Sequence, residues 1–304
     1  MVRLHDRARA RVNTILRRAV LAALLPLAGF AQATFPAVRI IGNLYYVGDT
    51  DLAAYLVVTP KGDILINSGF EYSVKEIRDR MKSLGFRFAD LKILLATHAH
   101  SDHVAAMATI KRLSGARMMA IEQEAELLET GGKTDYLFGS AGWFPPVKVD
   151  QTFRDGDKIE LGGSTLTAHW TPGHTKGSTS YSMTIAESGR EYSVLIANLP
   201  NLNEGTVLIK NPKYPGIVDD YARTFEVLRQ LPCDIYLTSH AGQFGLLAKF
   251  QPGKAYSARR FVDPYGLPRI LNRLEQAFIA ELEQQQQEEQ AIEDRKRFKD
   301  VLPN

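Results

Sequence analysis

The chain has 304 residues, 45% of them apolar and 23% charged, with a formal net charge of +3 and one cysteine. This balance describes an ordinary globular protein of one large or two small domains with a sizeable core. No repeat at a solenoid period is present, and a lone cysteine excludes an intramolecular disulfide.

The N-terminus reads as a signal peptide. Arg3, Arg7, Arg9, Arg11, Arg17 and Arg18 form a basic stretch. Residues 19–29 form an apolar stretch too short to span a membrane comfortably. Ala31-Gln32-Ala33 is an A-x-A site, which predicts cleavage after Ala33 and a periplasmic or secreted product. Arg17-Arg18 keeps the twin-arginine route open beside the Sec route. The segment holds six Arg and one Asp, net +5, which leaves about −2 for the remainder of the chain. The basic excess therefore belongs to the address, and the mature protein lacks the basic face that nucleic-acid binding needs.

Strand-like runs follow at residues 38–48, 53–59 and 63–67. Ser73-Val74-Lys75-Glu76 starts a helix that Gly85 stops. The apolar run 91–96 leads into Thr97-His98-Ala99-His100-Ser101-Asp102-His103, and a helix is expected over about 104–113. A Gly-punctuated loop carries Tyr136, Phe138, Trp143 and Phe144. Strands are predicted at 158–161, 164–170, 178–184, 192–196 and 234–238, with a helix over about 218–230. From Gly266 the pattern is helical, with Leu271, Leu274, Phe278 and Leu282 facing the body. Beyond Gln284 the apolar face ends, which predicts a solvated helix or a frayed tail.

The cluster after residue 97 holds the chemistry. Three imidazoles and a carboxylate within six residues put four candidate ligands at one strand end. Neutral imidazole and carboxylate are ligands that zinc takes. Such density is hard to explain by stability, because each histidine loses solvation on burial without a partner. His174 lies in a Pro-Gly turn after a strand, and His240 follows another apolar run. Three strand ends thus present histidine to loops, on a rigid scaffold. His169 lies inside a strand and reads as structural.

His98-x-His100-x-Asp102-His103, the distant Gly173-His174 and then His240 resemble the metallo-β-lactamase superfamily. Three further segments resemble the third subclass of class B β-lactamases. They are Thr171-Pro172-Gly173-His174-Thr175-Lys176-Gly177-Ser178-Thr179, Asn211-Pro212-Lys213-Tyr214 with Asp219-Asp220-Tyr221, and Leu231-Pro232-Cys233-Asp234. The resemblance covers roughly residues 38–280 and implies an α/β fold, a four-layer αββα sandwich, as one domain over 34–304. It implies two zinc ions per chain, one on His98, His100 and His174 and the other on Asp102, His103 and His240. It also implies a hydrolase that opens the β-lactam ring of penicillins, cephalosporins and carbapenems by attack of a metal-bridging hydroxide, which Asp102 orients. The alternatives are another hydrolase of the superfamily, for a lactone or a thioester, and a zinc-binding periplasmic protein of low activity. The expected partner is a small-molecule substrate, not nucleic acid, nor a membrane once the signal is cleaved; a monomer is favoured.

Two departures from the family pattern matter. Lactone and thioester hydrolases of the superfamily place a metal-bridging aspartate near the segment Ala197-Asn198-Leu199-Pro200-Asn201, but no carboxylate occurs between Glu191 and Glu204. That absence favours the β-lactamase branch. The Ser-x-Ser pair common in the subclass is replaced by Leu199 and Asn201. Leu199 cannot hydrogen-bond, whereas the Asn201 amide can donate to a substrate carboxylate or cap a turn. Phe138 and Trp143, with Tyr136 and Phe144, are expected apolar walls. Asn67 stands where many relatives have Asp and is expected to tune the site indirectly. Relatives often pair a cysteine at position 233 with one further on; with no partner, Cys233 is expected to be a small buried apolar group.

Overall fold

The computed structural model describes residues 35–301. The expected signal peptide and its Ala33 cleavage site lie outside the described residues. The first sheet takes β1 (Val38–Ile41), β2 (Leu44–Tyr46), β3 (Tyr55–Thr59) and β4 (Gly62–Ile66). After α1 (Ser73–Ser83) come β5 (Leu91–Leu95), α2 (Ser101–Val104), α3 (Met107–Ser114), β6 (Arg117–Ile121), α4 (Glu122–Glu129) and β7 (Gln151–Phe153). The second sheet takes β8 (Lys158–Leu161), β9 (Ser164–Trp170), β10 (Thr179–Glu187) and β11 (Arg190–Ala197). It is completed after α5 (Ile217–Gln230) by β12 (Ile235–Thr238). Finally come α6 (Leu246–Lys249) and α7 (Gly266–Val301).

The seven strands of the first sheet lie in chain order, and those of the second run β12-β11-β10-β9-β8. Strand alternation sorts the apolar side chains between two layers. Tyr55, Val57, Ile64, Ile66, Met119 and Ile121 join Leu166, Ala168, Tyr181 and Val194 in the core between the sheets. The intervening Leu56, Leu65, Met118 and Ala120 pack outward with Ile77, Met81, Ile110 and Leu128 of the helices. Phe225 and Leu228 of α5, with Leu271 and Phe278 of α7, cover the second sheet. The result is the four-layer αββα sandwich. Two buried hydroxyls cross between the sheets: Tyr55 Oη donates to Thr238 O at 2.6 Å, and Tyr181 Oη donates to Ala96 O at 2.8 Å. Among the described residues no helix is long and apolar enough to cross a membrane.

Two local expectations change, and a third resolves. The run 38–48 is a hairpin, β1 against β2, turning at Gly42 with φ +51°. The helix expected over 104–113 is broken, because the His103 carbonyl accepts the Ser68 N–H at 2.7 Å. α2 therefore ends there, and α3 restarts at Met107. Of the two outcomes expected for the polar tail, the helix is the one seen, since α7 runs to Val301. Within β9, His169 Nε2 lies 2.7 Å from Ser182 Oγ on the neighbouring strand, which satisfies it locally. Cys233 is half-buried at the core edge, and burial pushes its thiol up to about 12, the opposite of an activated nucleophile.

One element without a precedent in the sequence reading positions the histidines. α4 begins directly after β6, with no intervening turn, and carries the buried Glu124 in its first turn. Its Oε1 accepts Ala99 N–H at 2.6 Å and the Thr175 hydroxyl at 2.8 Å, while Oε2 accepts Gly177 N–H at 2.9 Å. Ala99 lies between His98 and His100, and Thr175 follows His174. One carboxylate thus ties the two histidine-bearing loops together. A side chain at Gly177 would collide with the Glu124 backbone, so the close approach requires glycine. Burial pushes the Glu124 carboxyl up, and the three donors work against that. Glu124→Gln would set an amide donor against at least one of these donors. Leaving such a group unsatisfied costs about 1–3 kcal/mol, so the melting temperature should fall by roughly 2–12 °C. Thermal unfolding checks this; a change below about 1 °C would show that the carboxylate is not a strut.

Candidate metal centre

The ends of β5, β9 and β12 open on one cavity of about 410 Å³. Its lining includes His98, His100, Asp102, His103, His174, His240, Leu199, Asn201 and Phe138. Ring centroids lie 4.7 Å apart for His98 and His100, 4.5 Å for His98 and His174, and 4.8 Å for His100 and His174. One ligand atom from each of these three lies within 4.8 Å of the others, and the same holds for His98, Asp102 and His103. Asp102 Oδ2 is 3.1 Å from His103 Nε2 and 3.6 Å from His240 Nε2. All six expected ligands therefore meet at one place, with His98 between the two groups.

Away from the metal-facing atoms, one ring nitrogen is hydrogen-bonded and two face a carboxylate at longer range. His174 Nδ1 donates to Asn201 O at 2.8 Å, which leaves Nε2 for the cavity. His100 Nε2 lies 3.4 Å from Asp135 Oδ2. Asp135 is itself fixed, since its Oδ1 accepts the N–H groups of Leu137 and Phe138, both at 2.7 Å. His240 Nδ1 lies 3.5 Å from Asp51 Oδ1, and His240 is bridged to Leu52 at the sheet edge. Asn67, in the left-handed region at φ +63°, brackets Thr97: its Oδ1 accepts Thr97 N–H at 2.9 Å and its Nδ2 donates to Thr97 Oγ1 at 3.1 Å. Thr97 Oγ1 is also 2.9 Å from Ser239 Oγ. Asn67 thus acts on His98 and His240 through their chain neighbours.

Burial disfavours charge on these imidazoles, and each neighbouring ring adds to the effect. His98 titrates well below its ordinary value, His103 below it, and His174 at about 3. Burial opposes ionisation of Asp102, yet the hydrogen bond from His103 and the surrounding imidazoles hold its carboxyl below the usual range. Neutral imidazoles and an ionised carboxylate are the protonation states that bind a metal. Among the described residues, His98 Nε2 is buried and finds no hydrogen-bond partner. An orphaned ring nitrogen is costly unless something else occupies its lone pair. Borderline N and O donors in two groups, without thiolate, fit zinc.

The expected substrate residues divide. Leu199 is buried in the cavity wall, Asn201 lines it, and Phe138 sets its ring edge to His100 at 4.9 Å. Trp143 is not brought to the cavity: it is exposed, outside the cavity lining, with Lys133 Nζ 5.5 Å from its ring centroid. The 3-10 turn at Gly139–Gly142 directs Phe138 inward and leaves the Trp143 ring outside. Tyr136 and Phe144 are buried and are not walls either; Phe144 packs into the outer helix layer. Asn198 and Asn203, not expected at the site from the sequence, line the cavity with buried amide nitrogens that lack partners among the described residues. The density of asparagine at 198, 201 and 203 was the available signal. Asp135 and Glu124 had none.

A family model described as the metallo-beta-lactamase superfamily matches residues 47–186. The β-lactamase from Chitinophaga pinensis is 44% identical with a TM-score of 0.79, over 82% of this chain and 94% of that one. The class B3 di-zinc metallo-β-lactamase LRA-12 from an Alaskan soil metagenome is 41% identical with a TM-score of 0.79, over 81% and 94%. The hydroxyacylglutathione hydrolase of Cereibacter sphaeroides is 29% identical over 44% of this chain and 46% of its own length. The chain spans about half the length of the curated relatives it matches. With similarity above two-fifths running over nearly the whole of solved β-lactamases, the chain belongs to the metallo-β-lactamase superfamily of hydrolases.

Proposed function

We propose that this chain is an exported di-zinc hydrolase that opens the β-lactam ring. The observation that carries the reading is the segment after β11. It borders the cavity with Asn198, Leu199 and Asn201, where a lactone or thioester hydrolase would supply a bridging carboxylate. The likeness to class B3 enzymes over most of the chain supports the same branch.

His98, His100 and His174 would hold one zinc, and Asp102, His103 and His240 the other. Bound there, zinc would supply a nucleophile at neutral pH by acidifying water and would polarise the scissile carbonyl. The remaining work falls to the chain. Asp102 accepts a proton or hydrogen bond beside the reacting atoms. The Asn201 amide donates to the substrate carboxylate, with the unpartnered amides of Asn198 and Asn203 close by. Leu199 and Phe138 exclude water from the ring face. The expected site of action is the periplasm or the exterior, after cleavage behind Ala33.

The deciding experiment measures hydrolysis of a penicillin, a cephalosporin and a carbapenem beside a lactone and a thioester. The β-lactams should be turned over with the higher kcat/KM, in a chelator-sensitive and zinc-restored manner. A thioester or lactone preferred over every β-lactam would reverse the assignment, in the direction of the Cereibacter sphaeroides relative.

Three further outcomes are expected. Metal analysis after mild dialysis should give about two zinc equivalents, as paired sites require. His240→Ala should lose one of them, and full activity with a single zinc would contradict the mechanism. Asn201→Ala keeps the backbone carbonyl that holds His174 and removes only the amide. A lost hydrogen bond to a charged group is worth roughly 1.5–3 kcal/mol, so KM should rise on the order of tenfold to a hundredfold with kcat and zinc content unchanged. A change in kcat/KM within about twofold for all substrates would place the carboxylate anchor elsewhere. N-terminal sequencing of the exported protein should begin at Thr34; recovery of the full-length chain in the cytoplasm would refute export.

A further inference from the structure

The cavity wall after β11 is a segment with little structure of its own. Asn198, Leu199, Asn201 and Asn203 line the cavity, and no strand or helix intervenes before α5. Its fixed points lie mostly on the second half of the chain. Tyr221 of α5 donates its hydroxyl to Asn201 O at 3.0 Å, and its ring stacks on Phe278 of α7 at 5.3 Å. Further on, Thr206 closes a turn on Asn203: its N–H and its hydroxyl donate to Asn203 O at 3.1 and 2.8 Å.

That turn is gripped from outside by one side chain. Gln285 Oε1 accepts Leu208 N–H at 2.7 Å, and Gln285 Nε2 donates to Thr206 O at 2.8 Å. One and two helical turns later, Glu289 and Glu293 hold Lys210 Nζ at 2.6 and 2.7 Å. Lys210 has φ +52°, a conformation that a non-glycine residue keeps only when its surroundings impose it. Gln285, Glu289 and Glu293 recur every four residues, so they form one stripe along α7. The exposed ion pairs contribute little. The half-buried Gln285 does more, because it satisfies backbone groups of Thr206 and Leu208, both of which are buried.

We propose that Gln285 is a positioning residue for the substrate: by clamping Thr206 and Leu208 it fixes Asn203 in the cavity wall, and so the C-terminal helix sets KM from outside the site. The kinetic half of this proposal rests on the hydrolase reading above; the structural half does not. The end of α7 is then part of the substrate-binding apparatus rather than a solvated tail.

The test compares Gln285→Met with Gln287→Met, which makes the same change on an exposed face of the same helix. Amide hydrogen exchange of the full chain is the first readout. Exchange at residues 206–209 should quicken by roughly tenfold in Gln285→Met, the weight of about one net hydrogen bond, and stay unchanged in Gln287→Met. The second readout is steady-state kinetics with zinc content. Gln285→Met should raise KM several-fold while kcat and bound zinc stay at the parent level, as for lost uniform binding. Unchanged exchange at 206–209 would overturn the clamp. Faster exchange with unchanged KM would overturn the positioning role, as would a fall in kcat with loss of zinc. If the parent protein opens no β-lactam, the β-lactamase reading fails on its own, and KM is read on whichever lactone or thioester is turned over.

Discussion

A buried carboxylate bound by uncharged donors ties this site together. Glu124 is bound by backbone N–H groups and one hydroxyl, all from the two loops it joins. The two loops share one direct backbone hydrogen bond there, Thr179 N–H to Thr97 O at 2.7 Å, and beyond it the spacing of His98, His100 and His174 rests on a side chain that bonds none of them. The arrangement works because each donor would otherwise be a buried, unsatisfied group. Its cost is a charged or protonated acid in the core, and the absence of a Cβ at Gly177 is what lets it come close enough.

Around that strut the site is built in tiers. Strand ends set the positions of the six donors, and loop atoms set their orientations. Asn201 O, the Asp135 carboxylate and the Asp51 carboxylate each face a ring nitrogen that points away from the cavity. Such partners choose the tautomer as well as the ring angle. The same carbonyl of Asn201 also accepts the Tyr221 hydroxyl, so one backbone atom links a cavity histidine to α5.

Much of this was readable from residues alone, and the limits have physical causes. The ligand constellation was legible because its members crowd six positions and three strand ends. Most strands were legible by alternation, α1 by its start residues and the glycine that stops it, and α7 by its apolar face. α4 was not, because β6 passes into it without Gly, Pro or a polar turn to mark the change of period. The break between α2 and α3 was not, because it comes from the pull of Ser68 on the His103 carbonyl, an atom common to every residue type. Glu124 and Asp135 were invisible for a related reason. Their partners lie far along the chain or on backbone atoms, and a single acid in a polar stretch looks like surface. The outward placement of Trp143 was not legible, because a loop's composition carries no information on which of its aromatics turns inward.

The seam between the sheets has a consequence for the order of assembly. His240 enters the cavity from the strand that pairs last in the chain, parallel to β11. It is also bridged to Leu52, and close by the Tyr55 hydroxyl reaches Thr238 O across 183 residues of sequence. Contacts this distant carry the largest loop-closure cost and form after local ones. A nascent chain that has emerged only as far as β11 already contains five of the six donors but neither the sixth nor the strand that closes the seam. The complete donor set therefore requires that β12 be docked both on β11 and on the edge of the first sheet.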